Sequence, residues 1–402
     1  MAVSARRGIA SGFDVAVLLA ALLAASPALP RPASAAPPPA AYVVMDFESG
    51  IVFLEKNPDA RREPASLAKI VTASLLLERM PEGYIVKVSA NAARQSGALL
   101  GLKAGDTISL GDALTAMLLE SDNDAAVAAA EAAAGNVEKF AAWMNAWVAQ
   151  IGARNTRFVN PTGAHDPRQY TTARDMALIA RAALRNPKFA DLVRTRTATV
   201  KWSAKPQGKQ IANRNRMLGD YQGAEGIKTG STSQAGDCLA AAARRDGWRL
   251  IAVVLGASDA KAEATALLNR AFAQYKRLQM LERGKTITQA RIIRGRRATV
   301  PLAAAESFWL VIPKKIDPVW SLSTAPEVLT APVRRGQQAG QVTVFVNGRP
   351  RATVPLLATE SVPLSRWLFL HWLKAPAAAL LLFLATYWAL LRARQRGSAA
   401  EE

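Results

Sequence analysis

Near the C-terminus seventeen consecutive residues, Ala375 to Leu391, carry no charge, and this run limits the fold more than any other feature. Its apolar residues surround the helix instead of forming one stripe, which favours spanning a bilayer over lying along it. At 1.5 Å per residue the run reaches about 26 Å, slightly short of a ~30 Å hydrocarbon core. Trp367–Leu373 offers an extension, although Pro376 marks the more natural helix start. Trp372 and Tyr387-Trp388 suit the two interfaces, and Arg392, Arg394 and Arg396 place the tail in the cytoplasm and residues 36–370 outside. The other end agrees. Arg6 and Arg7, the apolar stretch Val15–Leu29 and Ala33-Ser34-Ala35 form the three parts of a secretory leader over 1–35, followed by a Pro- and Ala-rich linker at 36–41.

The 402 residues between and including these signals suffice for two domains. A single cysteine, Cys238, excludes an intramolecular disulfide framework. The chain has 51 Lys and Arg against 31 Asp and Glu; three of those arginines and Asp14 fall in 1–35, leaving 48 against 30. Such an excess suits an anionic surface, whether nucleic acid, lipid headgroups or an acidic wall polymer. No nucleic-acid motif accompanies it, so a nucleic-acid partner is not expected.

Tyr42–Asp46 and Ile51–Glu55 flank Glu48-Ser49-Gly50 as a hairpin. Helical patterns dominate from about 64 to 195. Val137, Phe140, Met144, Trp147, Val148 and Ile151 share one helix face ending at Gly152, and Thr171-Thr172 opens a helix over about 174–184. Strands are expected at 196–202, 226–231, 237–244 and 248–256, then a helix from Asp259 to about Leu278. From Gln279 the texture turns to short β-branched runs, among them the hairpin Val342–Val346, Asn347-Gly348, Arg349–Leu357. The order of elements predicts an α/β domain over 36–278, a small β domain over 279–360, a linker at 361–374, an anchor helix at 375–391 and a tail at 392–402.

Three short elements bear chemistry. In Pro64-Ala65-Ser66-Leu67-Ala68-Lys69, Pro64 fits a first helical turn, and Ser66 and Lys69 at i, i+3 share a face. A serine hydroxyl needs a neighbouring base, and a lysine serves only if burial or nearby cations lower its pKa. Ser121-Asp122-Asn123 puts a hydroxyl and a carboxamide after a helix. Gly226-Ile227-Lys228-Thr229-Gly230-Ser231-Thr232 places a cation and hydroxyls on a strand where Gly230 lets a substrate backbone approach. Singly each is an ordinary helix face, helix end or strand; together and in this order they are the motif set of penicillin-binding proteins and class A β-lactamases.

From Ala41 to about Leu278 the chain resembles the low-molecular-mass penicillin-binding proteins of the serine-type D-alanyl-D-alanine carboxypeptidase family. Thr171–Ala180, Asn213-Arg214-Asn215-Arg216 and Ile251–Gly256 share the resemblance, and Ala331-Pro332-Val333 and Gly340–Val344 look like the family's second domain. The resemblance implies an α/β, β-lactamase-like transpeptidase fold with a small C-terminal β domain and a C-terminal membrane helix. It implies that Ser66 attacks the carbonyl between two terminal D-alanines and that neutral Lys69 accepts its proton. Ser121 would relay a proton to the leaving amine and Asn123 would hold the site or the substrate amide. Lys228 and Thr229 would bind the terminal carboxylate, with Gly230 beside them, and the N–H groups of Ser66 and Ser231 would form the oxyanion hole. Peptidoglycan pentapeptide stems are the implied substrate and β-lactams the implied covalent inhibitors, with no cofactor and no metal, on the periplasmic or extracytoplasmic face of the membrane.

The middle motif is Ser-Asp-Asn where the family more often has Ser-Gly-Asn, Thr162 stands where many relatives carry His, and Ser231 replaces a frequent aromatic. A Ser-His-Asp hydrolase and a zinc enzyme both fail for want of histidines, since His165 and His371 are the only two. A secreted β-lactamase would lack the β domain and anchor and would carry a Glu-x-x-Leu-Asn loop that is not evident here. A slow β-lactam sensor is the reading of a different class. The basic β domain is expected to space the active site from an anionic membrane.

Overall fold

The structure, a computed structural model, describes residues 41–398; the leader expected over 1–35, nearly all of the linker after it and residues 399–402 lie outside the described residues. An antiparallel sheet runs in the order Val52–Lys56, Ala41–Asp46, Trp248–Ala257, Gly236–Arg245, Ala224–Thr232. Successive residues of its central strands point to opposite faces. Val43, Ile251, Val253 and Ala240 face one core, while Val44, Leu250, Ala252 and Leu239 face another. Apolar cover on both faces explains why these strands read as unbroken apolar runs. Helix Ala260–Gln274 covers the outer face through Ala264, Leu267, Leu268 and Ala271.

On the inner face the helix Ala68–Arg79 is enclosed by the helices Asn123–Ala134, Val137–Gln150 and Ala173–Ala183. Its first nine residues, Ala68 to Leu76, are all buried. A helix apolar all round belongs in a core, and Ile70, Val71, Leu75 and Leu76 each contribute about 1.5–3 kcal/mol by leaving water. That burial also carries Lys69 into the interior. Thr172 caps the helix after it, its hydroxyl accepting from Asp175 N–H. A second, four-stranded sheet of 85–87, 107–109, 197–202 and 205–212 flanks the helices; only its third strand was expected.

The helix expected to run to Leu278 stops at Gln274, because Tyr275–Leu281 pairs with Phe308–Pro313 and Tyr275 packs on Phe53 with ring centroids 4.9 Å apart. The β domain therefore begins at Tyr275, not Gln279. It extends past 360, since Val362 is buried and bridges Val333. Its six-stranded sheet closes over a core of Val300, Leu302, Val342, Val344, Val354 and Leu356. Asn347 (φ 50°) and Gly348 (φ 72°) turn its main hairpin with both central residues at positive φ, the conformation that matches strand twist.

The segment expected as a linker at 361–374 is helical from Arg366, within one helix of 33 residues, Arg366–Ser398. Nothing between Arg366 and Lys374 breaks a helix, and Pro376, expected at its start, lies inside it. Lys374–Arg392 is long and apolar enough to cross a membrane and is wholly unburied by the rest of the protein.

Candidate active site

A cleft of about 570 Å³ opens between the sheet edge and the helices, lined by Ser66, Ser121, Asn123, Thr229, Gly230 and Ser231 among others. All three sequence motifs thus converge on one place. Ser66 sits in the tight turn Ala65–Leu67 that enters the buried helix. Ala65 before it has φ 45°, a left-handed conformation costing about 1–2 kcal/mol for a residue with a Cβ. Two glycines hold that turn from outside. A Cβ on Gly163 would fall 1.7 Å from Ala65 O, and one on Gly230 would fall 2.8 Å from Ser66 N. The strand carrying Lys228 therefore lies flat against the nucleophile's own backbone, with Ser231 one residue further along facing Asp237 across the sheet.

Lys69 Nζ lies 3.1 Å from Ser66 Oγ, 2.7 Å from Asn123 Oδ1 and 2.8 Å from Thr162 O. Burial first, then Lys228 and Arg214, hold its pKa well below the usual lysine range, while Asp122 and Asp124 pull the other way. A neutral amine has two hydrogens and one lone pair. The Thr162 carbonyl can only accept, and Asn123 presents its oxygen because its Nδ2 donates to Ser96 O at 2.6 Å. In that form both hydrogens are committed, and the lone pair is free to take the Ser66 proton.

The Asn123 amide is consequently occupied at both ends and holds the site together. Ser121, at φ 72° between two helices, lines the cleft and is nearly buried, but no hydrogen bond joins its hydroxyl to Ser66 or Lys69. Lys228 is 1% exposed and donates to Thr229 O at 3.0 Å, so it lies beneath the cleft wall that Thr229, Gly230 and Ser231 form. Burial and then Arg214 bring its pKa down to about 7, with Asp122 opposing.

Sequence reasoning gave no role to four features of this place. Arg214 lines the cleft, its N–H bonded to Leu119 O at 3.0 Å, and its guanidinium has no ion-pair partner among the described residues. The carboxylate of Asp124 accepts from Leu100, Gly101 and Leu102 N–H groups at 2.9–3.0 Å, closing the 96–102 loop over Asn123. Asp122 is 1% exposed with Oδ2 unbonded, and burial, then Asp124 and Glu120, raise its pKa to about 7. Gly163 is the fourth. Arg214 had a visible signal in the Asn213–Arg216 run, and Asp122 in standing where the family more often has glycine. His165 pairs with Glu63 at 2.8 Å on the exposed rim. Among the described residues no cluster of three His, Cys, Asp or Glu side chains is placed to hold a metal.

Residues 31–259 match the family model described as D-alanyl-D-alanine carboxypeptidase, and residues 275–364 match that of the penicillin-binding protein 5 C-terminal domain. The chain is 34% identical to the D-alanyl-D-alanine carboxypeptidase DacA of Haemophilus influenzae over 80% of its own length and 84% of that protein. It is 31% identical to DacF of Bacillus subtilis, over 80% and 85%. Its fold superposes on the crystal structure of penicillin-binding protein 5 from Haemophilus influenzae with a TM-score of 0.71 and 32% identity, covering 82% of this chain and all of the other.

Proposed function

The chain belongs to the D-alanyl-D-alanine carboxypeptidase family, and from that premise we propose how its own residues divide the reaction. It is a serine-type D-alanyl-D-alanine carboxypeptidase with the penicillin-binding transpeptidase fold and a C-terminal β domain. In our reading the Ser66 hydroxyl attacks the carbonyl joining the two terminal D-alanines of a peptidoglycan stem, and its proton passes to the lone pair of Lys69. The developing oxyanion lies against the Ser66 and Ser231 N–H groups, an arrangement worth about 3–4 kcal/mol per donor in comparable enzymes. The proton then moves from Lys69 to the departing amine, with Ser121 at the cleft wall between them. D-alanine leaves, Ser66 keeps the acyl group, and water cleaves the ester with Lys69 again taking a proton.

The substrate carboxylate meets Thr229 and Arg214 at the surface, with Lys228 supplying positive potential from beneath. A β-lactam enters the same way, but its leaving group stays tethered and Ser66 remains acylated. The helix Lys374–Arg392 supports a membrane-anchored enzyme on the extracytoplasmic face. The observation that carries this reading is the Lys69 geometry: its Nζ is held by two acceptor oxygens, Asn123 Oδ1 and Thr162 O, and lies 3.1 Å from the Ser66 hydroxyl.

The test is release of D-alanine from an acyl-L-Lys-D-Ala-D-Ala peptide by the full chain in detergent, beside Ser66→Ala and Lys69→Ala. Release that both substitutions abolish is the expected result. Release that survives Ser66→Ala would remove the nucleophile assignment. Stable penicillin labelling with no D-alanine release would favour a sensor.

A further inference from the structure

The β domain ends where the apolar helix begins, and the joining chain runs between two arginine-bearing turns. Ser365 N–H donates to Arg294 O at 2.8 Å and Arg296 N–H to Pro363 O at 3.0 Å. On the other side Val333 and Val362 exchange backbone bonds at 2.9 Å, and Arg335 N–H reaches Ser361 Oγ at 2.9 Å. These bonds fix the turns at 294–297 and 333–336 beside the helix start at Arg366. Arg294, Arg296, Arg297, Arg334 and Arg335 are all exposed there. Among the described residues only Arg297 of the five has an ion-pair partner, Glu360. Ile293 and Leu364, 48% and 50% exposed, stand among them. Four uncompensated cations held this close repel one another and favour an external anion.

The helix decides which anion is within reach. From Arg366 to the apolar run at Lys374 the chain climbs about 12 Å. Headgroups occupy roughly 5–8 Å of that distance. The two turns therefore stand within about 8 Å of the headgroup surface, one Debye length at physiological salt, and the arginine side chains span much of the gap. A soluble polymer has no such enforced proximity.

We propose that this end of the β domain is a docking surface for anionic lipid headgroups. Arg294, Arg296, Arg334 and Arg335 engage headgroup phosphates of the facing leaflet, Ile293 and Leu364 touch the interface, and the catalytic domain is held at a restricted tilt above the bilayer. The surface rests on the reading of Lys374–Arg392 as a membrane span, which is checked separately.

The full chain is reconstituted into discs of phosphatidylcholine alone and discs with phosphatidylglycerol added, and amide hydrogen exchange is followed at 291–297 and 332–337. Co-migration with both kinds of disc reports the span; its failure would remove the span and the docking surface together. With the span in place, exchange of both segments slows several-fold in the anionic discs alone. High salt reverses the slowing, and so does the combined change Arg294→Ser, Arg296→Ser, Arg334→Ser and Arg335→Ser. Identical exchange of the unaltered chain in the two discs overturns the proposal, whatever the variant does. Equal slowing by soluble polyglutamate in neutral discs overturns it in favour of a polymer partner.

Discussion

Replacing Gly163 by alanine displaces the Ser66 turn by an amount the structure sets. The new Cβ stands 1.7 Å from Ala65 O, whereas ordinary contact begins at 3.4 Å, so the two segments must separate by 1.7 Å. Shared between them, the shift at Ser66 is about 1 Å, and misplacing a reacting group by that much costs on the order of 10²-fold. In free energy this is about 2.7 kcal/mol of lost transition-state stabilisation. The backbone at φ +81° adds about 1–2 kcal/mol of lost stability. Gly135→Ala separates the two effects, because Gly135 has φ +87° and open space within 4 Å. The assay is kcat/KM for D-alanine release and the second-order rate of penicillin acylation, with thermal melts for both variants. Both should melt lower, and only Gly163→Ala should lose about two orders of magnitude in rate. A Gly163→Ala enzyme within threefold of Gly135→Ala would refute the argument that this close approach positions the nucleophile.

Asp122→Asn tests the buried carboxyl. With its pKa raised from 3.8 to about 7, folded Asp122 keeps a proton that the unfolded chain has lost, so parent stability falls as pH rises from about 4 to about 7. The variant's melting temperature should gain on the parent across that window, and a constant difference from pH 4 to 8 would refute the shift. Arg214→Ala removes a cation that lowers both Lys69 and Lys228. Acylation needs neutral Lys69 and is lost as pH falls through its pKa, so the acid limb should move to higher pH; KM for the peptide should rise about tenfold or more, the worth of a hydrogen bond to a charged group. An unmoved limb would sink the electrostatic part. Asp124→Ala strips three backbone N–H groups of the 96–102 loop of their acceptor and should destabilise the fold by about 3 kcal/mol or more while slowing acylation, as denaturant unfolding and penicillin labelling would show. A loss below about 1 kcal/mol would mean that the 96–102 loop closes without it.

Much of the chemistry was legible because it resides in residue types at short spacing. Ser66 and Lys69 are three residues apart where a tight turn enters a helix, and Lys228 to Ser231 are consecutive on one strand. What escaped depends on meetings between distant segments. Gly163 looks like any turn glycine until Ala65, about a hundred residues earlier, is laid against it. Asp122 reads as the middle of a motif that follows a helix, and nothing local says that its carboxyl lies buried. Lys205–Ala212 shows little alternation because most of its residues are partly or fully exposed, so it was missed as a strand. Tyr275–Leu281 could extend the preceding helix by composition; pairing with Phe308–Pro313 decides otherwise. Pro376 was read as a helix start by local preference, which the length of the surrounding apolar run overrides.

The first described strand, Ala41–Asp46, is zipped along its whole length to Trp248–Ala257, more than two hundred positions later. Closing a loop of that size costs about 5 kcal/mol of chain entropy before any contact repays it. The central sheet therefore cannot assemble progressively as the chain lengthens. A nascent polypeptide that has emerged only as far as residue 240 holds Ser66, Lys69 and Lys228 but lacks Trp248–Ala257, the strand that joins Ala41–Asp46 to the rest of the sheet, and it remains threadable and open to proteases. Folding of the central sheet becomes possible only once residue 257 is free, which ties the onset of activity to delivery of the whole sheet-bearing domain.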